Sequence, residues 1–90
     1  MSIGIAILGA GRIGKVHAEA ISSIKGARLV AIAEPVTEIA KKIRKQYNCK
    51  IFSADEIAGT KEIDAVVICT PTDTHADLIE KFVQGDKAVF

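Results

Sequence analysis

A doubly wound α/β fold, a parallel sheet between two helical layers, is predicted for this 90-residue chain by three observations. Short apolar runs alternate with longer amphipathic ones from end to end. A glycine-rich turn, Gly9-Ala10-Gly11-Arg12-Ile13-Gly14, stands where the first apolar run gives way to the first amphipathic one. An acid, Glu34, closes the second apolar run twenty residues beyond Gly14.

Each element has its own warrant. Ile3 to Leu8 is short, apolar and bounded by glycine, as a strand buried on both faces requires. From Ile13 to Ile24 the residues Ile13, Val16, Ala20, Ile21 and Ile24 recur at helical spacing, and Lys25-Gly26 supplies a stop. Leu29 to Ala33 is the second strand, and Pro35 holds Glu34 extended at its end. Thr37 is a candidate cap for a helix to about Tyr47, with Ile39, Ala40, Ile43 and Tyr47 on one face. Lys50 to Phe52 forms a short third strand, and Ser53-Ala54-Asp55-Glu56 has the capping-box form ahead of a brief helix ending at Gly59. Ala65 to Cys69 is the fourth strand. Thr72 to Thr74 offer caps for a helix to Gln84 with Ala76, Ile79, Phe82 and Val83 inward, Gly85 ends it, and Ala88-Val89-Phe90 starts a fifth strand. Right-handed crossovers then predict the strand order 3-2-1-4-5, with a ligand crevice between strands 1 and 4. That is the Rossmann-type arrangement.

Composition narrows the function classes. Ninety residues make one small domain, which buries about 60–65% of the surface its unfolded chain exposes. A net charge of +1 gives no reason to expect nucleic acid or an anionic membrane as a partner. No apolar run reaches the roughly 18–20 residues of a membrane span, and no signal-peptide pattern opens the chain. Cys49 and Cys69 form no C-x-x-C pair and read as buried free thiols, so the expected setting is the reducing cytoplasm. The basic cluster Lys41, Lys42, Arg44, Lys45 and Lys50 lacks an aromatic platform and reads as a solvated helix face. No His/Cys cluster has metal-ligand spacing, and the glycine turn lacks the G-K-[ST] ending of a P-loop.

The chemistry that remains is dinucleotide binding. Gly9 permits the sharp turn out of the strand, Gly11 projects nothing toward an approaching pyrophosphate, and Gly14 lets helix and sheet pack closely. The N–H groups of Arg12 and Ile13 face the phosphates at the positive end of the helix dipole. Glu34 accepts hydrogen bonds from the adenine-side ribose, and a 2′-phosphate there meets like charge with no compensating arginine at Val36 or Thr37, so NAD is expected over NADP. Thr70, Pro71, Thr72 and His75 leave the carboxyl end of strand 4, where hydroxyls and backbone groups reach a ligand in the crevice. Asp73 and His75 are two apart and do not face each other on a helix, so Asp73 reads as a cap and His75 as a first-turn residue near the cofactor. His17 reads as a packing histidine.

Three stretches together carry a resemblance: Ile5-Ala-Ile-Leu-Gly-Ala-Gly-Arg-Ile-Gly-Lys-Val-His17, Ile32-Ala-Glu-Pro35 and Ile68-Cys-Thr-Pro-Thr-Asp-Thr-His75. Over essentially all its length the chain resembles the N-terminal domain of the glucose–fructose oxidoreductase/inositol dehydrogenase/MocA family, nearest its bacterial inositol dehydrogenase branch. The resemblance implies an NAD(P)-dependent oxidation of a sugar or cyclitol hydroxyl by a homo-oligomer. It implies that Gly9, Gly11, Arg12, Ile13 and Gly14 hold the pyrophosphate, Glu34 the ribose, and Thr70, Pro71, Thr72 and His75 the cofactor crevice. The family's Glu-Lys-Pro motif, with its catalytic lysine, and its substrate domain lie beyond the point where this sequence stops. The expectation is therefore a dinucleotide-binding domain over 1–90, truncated after the start of strand 5, with no catalytic residue of its own. A stand-alone nucleotide-binding or sensor module, and a non-binding remnant that oligomerises, are the alternatives.

Overall fold

Strand β1 (Ile3–Leu8) is apolar on both faces and therefore takes the centre of the sheet, where Ala6, Ile7 and Leu8 are buried. The computed structural model describes residues 2–9, 11–70 and 75–90, with the backbone alone at 12, 13, 75 and 76. After β1 come α1 (Arg12–Ser23), β2 (Ala27–Ala33), α2 (Thr37–Tyr47), β3 (Lys50–Ile51), α3 (Ala54–Ala58), β4 (Ala65–Ile68), α4 (His75–Gln84) and β5 (Ala88–Val89). The five strands pair in parallel in the order β3-β2-β1-β4-β5, as expected from right-handed crossovers. One irregularity interrupts the central pair: Ile5 lies opposite Leu29 but Ala6 opposite Ala31, so Val30 is an extra residue in β2.

Alternation along the strands divides the core in two. Ile7 and Ile32 join Ala18 and Ile21 of α1 and Ala40 and Ile43 of α2 on one side. Ala6, Leu8, Val30, Ala31 and Val66 join Ile57 of α3 and Phe82 of α4 on the other. The capping box forms as read: the Glu56 amide donates to Ser53 Oγ (3.1 Å) and the Ser53 amide to Glu56 Oε1 (2.9 Å).

Two helix faces differ from expectation. Among the described side chains of α1 the buried positions are Gly14, Ala18 and Ile21, whereas Val16 and, just past the helix, Ile24 are more than half exposed and His17 is exposed, not packed. Gly14 belongs to this face because a Cβ there would lie 2.1 Å from the Gly9 oxygen, and Ala18 and Ile21 continue the row against Ile7 and Ile32. In α4, Phe82 is fully buried and Leu78 packs beside it, while Ile79 and Val83 are 43% and 59% exposed. The Leu78–Phe82 row, one turn apart, wins the contact with the sheet. Thr37 is the first residue of α2 and not its cap; Val36 holds that position, without a side-chain cap bond.

Candidate functional site

The carboxyl ends of β1, β2 and β4 meet at one edge of the sheet. Because β1 pairs with β2 on one side and β4 on the other, the connections leaving it diverge, which opens a crevice. The Gly9 amide donates to the Ala33 carbonyl (2.8 Å) and the Cys69 amide to the Leu8 carbonyl (2.7 Å), so the three strand ends are tied across it.

Each glycine of the turn meets a distinct demand. Gly9 has φ +85°, a left-handed conformation that disfavours a side chain, and a Cβ there would stand 3.0 Å from the Cys69 carbonyl. A Cβ on Gly11 would meet nothing within 4 Å, which leaves an open approach to the backbone at the start of α1. A Cβ on Gly14 would lie 2.1 Å from the Gly9 oxygen, so this helix and turn fit only with glycine. The start of α1 has no side-chain cap and no acid in its first turn. Its first N–H groups and positive dipole end are thus available to an anion, in a cradle that fits a pyrophosphate.

Glu34 follows β2, and its Oε2 accepts the Val36 amide two residues on (2.9 Å). That bond fixes the carboxylate over the start of α2. Glu34 and Thr70 both line a cavity of about 500 Å³ whose wall is mainly apolar, including Leu8, Ala33, Phe52 and Leu78. The glycine turn contributes none of the described wall residues and lies beside this slot, where the Gly9 amide donates to the Ala33 carbonyl.

Of the residues expected from sequence, Gly9, Gly11, Gly14, Glu34 and Thr70 come together at this edge. Arg12 and Ile13 begin α1 and His75 begins α4 by their backbone. The side chains of Arg12, Ile13 and His75, and the calls on Pro71, Thr72 and the Asp73 cap, lie outside the described residues. Sequence reasoning missed Phe52, Ser53, Asp77 and Leu78 on the cavity wall. The available signal was topological: Phe52 leaves the third strand at the same sheet edge as Glu34. Cys69 is half-buried and burial pushes its thiol above the ordinary range, so it is held as a neutral thiol. Among the described residues no cluster of three or more His, Cys, Asp or Glu side chains could hold a metal ion, and no helix is long and apolar enough to cross a membrane.

Comparison with known proteins agrees with this geometry. The family model GFO_IDH_MocA, described as an oxidoreductase family with an NAD-binding Rossmann fold, matches residues 3–90. The chain is 53% identical over 90 residues to an inositol 2-dehydrogenase of Rhizobium meliloti, covering all of this chain and 27% of that protein. It is 38% identical over 88 residues to a scyllo-inositol 2-dehydrogenase (NAD(+)) of Bacillus subtilis, covering 94% of this chain and 26% of the relative. The crystal structure of a Lactobacillus casei scyllo-inositol dehydrogenase with bound NAD(H) and scyllo-inositol superposes with a TM-score of 0.92 at 32% identity, over 100% of this chain and 27% of that one. The chain thus spans about a quarter of the length of the relatives it matches.

Proposed function

The chain belongs to the Gfo/Idh/MocA family of oxidoreductases with an NAD-binding Rossmann fold, and from that premise we propose that it is the coenzyme-binding part of an NAD-dependent dehydrogenase acting on a cyclitol such as inositol, or on a related sugar. The observation that carries the reading is the glycine turn: its left-handed first residue, open second and tightly packed third together make a phosphate cradle beside Glu34 and Thr70. The 53% identity to an inositol 2-dehydrogenase supports the substrate class.

The residues have separate tasks in this reading. Gly9, Gly11 and Gly14, with the amides of Arg12 and Ile13, seat the pyrophosphate on the amino end of α1. Glu34, already oriented by the Val36 amide, accepts the two hydroxyls of the adenosine ribose; a carboxylate has acceptor sites for these and the amide together. A 2′-phosphate in the same place meets a fixed negative charge, which favours NAD over NADP. Thr70 lines the crevice along which the coenzyme lies, and the family resemblance assigns Pro71, Thr72 and His75 to the same task. The bound coenzyme supplies the hydride acceptor, and the 1–90 domain supplies its position; no residue in it is assigned a catalytic role, and no turnover is expected from it alone. The assembly we infer is a cytoplasmic homo-oligomer whose partner is a small molecule, not nucleic acid or membrane.

Calorimetric titration with NAD and NADP tests the proposal. Tighter binding of NAD, with the gap narrowed in Glu34→Gln, is the expected result. Equal affinity of the unaltered protein for both coenzymes overturns the role given to Glu34, and binding of neither overturns the whole reading.

A further inference from the structure

Leu8, Ala33, Phe52, Ala54 and Leu78 give the cavity beside the glycine turn its apolar character. A purine ring suits such a slot, because its faces are apolar and its hydrogen-bonding groups lie around its edge. The edge must then be met by the few polar side chains that reach the wall: Glu34, Ser53, Thr70 and Asp77. Glu34 and Thr70 stand at the strand ends nearest the phosphate cradle. Ser53 gives its amide and one Oγ lone pair to Glu56 in the capping box, and a hydroxyl, which both donates and accepts, does not discriminate a 6-amino from a 6-oxo group.

Asp77 is the remaining group. It is exposed on the first turn of α4, where the helix dipole favours its charge. Among the described residues it makes no hydrogen bond or ion pair. The cation one turn along the same face, Lys81, is paired with Asp55 of α3. A charged acceptor thus stands at the rim of an apolar slot with its nearest helical cation already engaged.

We propose that Asp77 selects the base of the coenzyme by accepting a hydrogen bond from the 6-amino group of adenine. The inference rests on the coenzyme-binding reading above and adds to it a specificity residue for the ring. A 6-aminopurine turns N–H toward the carboxylate. A 6-oxopurine turns lone pairs toward it and is repelled, and presenting N1–H instead requires the ring to shift within the slot while its ribose is held at Glu34.

The test compares NAD with nicotinamide hypoxanthine dinucleotide, which differs in the 6-substituent of the base and the proton that N1 then carries, by calorimetric titration of the unaltered protein, Asp77→Asn and Asp77→Ala. The unaltered protein should prefer NAD about 10- to 100-fold, the range of one hydrogen bond to a charged group. Asp77→Asn should bring the two ligands within about threefold, because a carboxamide both donates and accepts. NAD bound with no preference over the hypoxanthine analogue overturns the role of Asp77 while the coenzyme-binding reading stands; binding of neither ligand overturns both. A preference that survives in both variants overturns it as well, and a fall in their thermal stability would then assign Asp77 to the helix dipole alone.

Discussion

Gly11 and Gly14 are three residues apart in one turn, yet substitution by alanine should produce opposite failures. At Gly14 the added Cβ would lie 2.1 Å from the Gly9 oxygen and 3.0 Å from its carbonyl carbon, both backbone atoms of a turn that cannot move alone. Better helix propensity returns about 0.5–1 kcal/mol, whereas overpacking against a fixed neighbour costs about 1–3 kcal/mol or more. The expected net loss is about 2 kcal/mol, which for a domain of this size lowers Tm by roughly 8–16 °C. At Gly11 the same methyl meets nothing within 4 Å, and φ −69° suits any residue, so Gly11→Ala should cost under about 1 kcal/mol, the difference between glycine and alanine at a helix cap. That methyl occupies the approach of the pyrophosphate, so NAD affinity should fall at least about tenfold, the loss of one net charge-assisted contact. Urea denaturation reads the first effect and calorimetric titration the second. A Gly14→Ala protein as stable as the parent would refute the packing account, and undiminished NAD binding by a folded Gly11→Ala protein would refute the phosphate cradle.

Two further outcomes follow from hydrogen bonding and burial. Val36→Pro removes the amide that orients Glu34 while φ −84° remains near the proline range; NAD affinity should drop about 5- to 10-fold, as expected for one lost hydrogen bond, and Val36→Ala, which keeps the amide, should match the parent. Burial raises the Cys49 thiol above its ordinary value, against smaller lowering by its backbone hydrogen bond and Arg44. The folded state therefore holds that proton more tightly than the unfolded chain, so the thiol's contribution to stability is complete below its unfolded pKa and is lost as pH rises through the folded one. Denaturation midpoints should decline on the alkaline side, and Cys49→Ala should flatten that decline; an unchanged slope would exclude the thiol as its source.

The strand order was legible because right-handed crossovers between alternating elements leave little choice, and the glycine turn's conformation and the Ser53–Glu56 capping box because each depends on local spacing. The inward faces of α1 and α4 were not. Periodicity gives weight to large apolar residues, yet α1 approaches the sheet through Gly14 and Ala18, and that close approach turns Val16 and Ile24 outward. In α4 the rows Ile79–Val83 and Leu78–Phe82 are equally apolar, so only the sheet beneath decides between them. The cavity wall escaped for a similar reason: Phe52 and Asp77 lie in different crossovers, and their meeting is a property of topology. Glu34 was identified, whereas its bond to the Val36 amide depends on backbone geometry that a residue pattern does not encode.

The extra residue in β2 has a consequence at some distance from itself. Val30 and Ala31 both enter the α3/α4 side of the core, and Ile32 returns to the side of Ile7. Without that slip the strand would run about 3.3 Å further, one residue's rise, and every later side chain would be turned over. Glu34 would then overshoot the Gly9 level and aim into the wrong layer. Where the carboxylate points is thus decided four residues upstream, at a hitch in the ladder that itself touches no ligand.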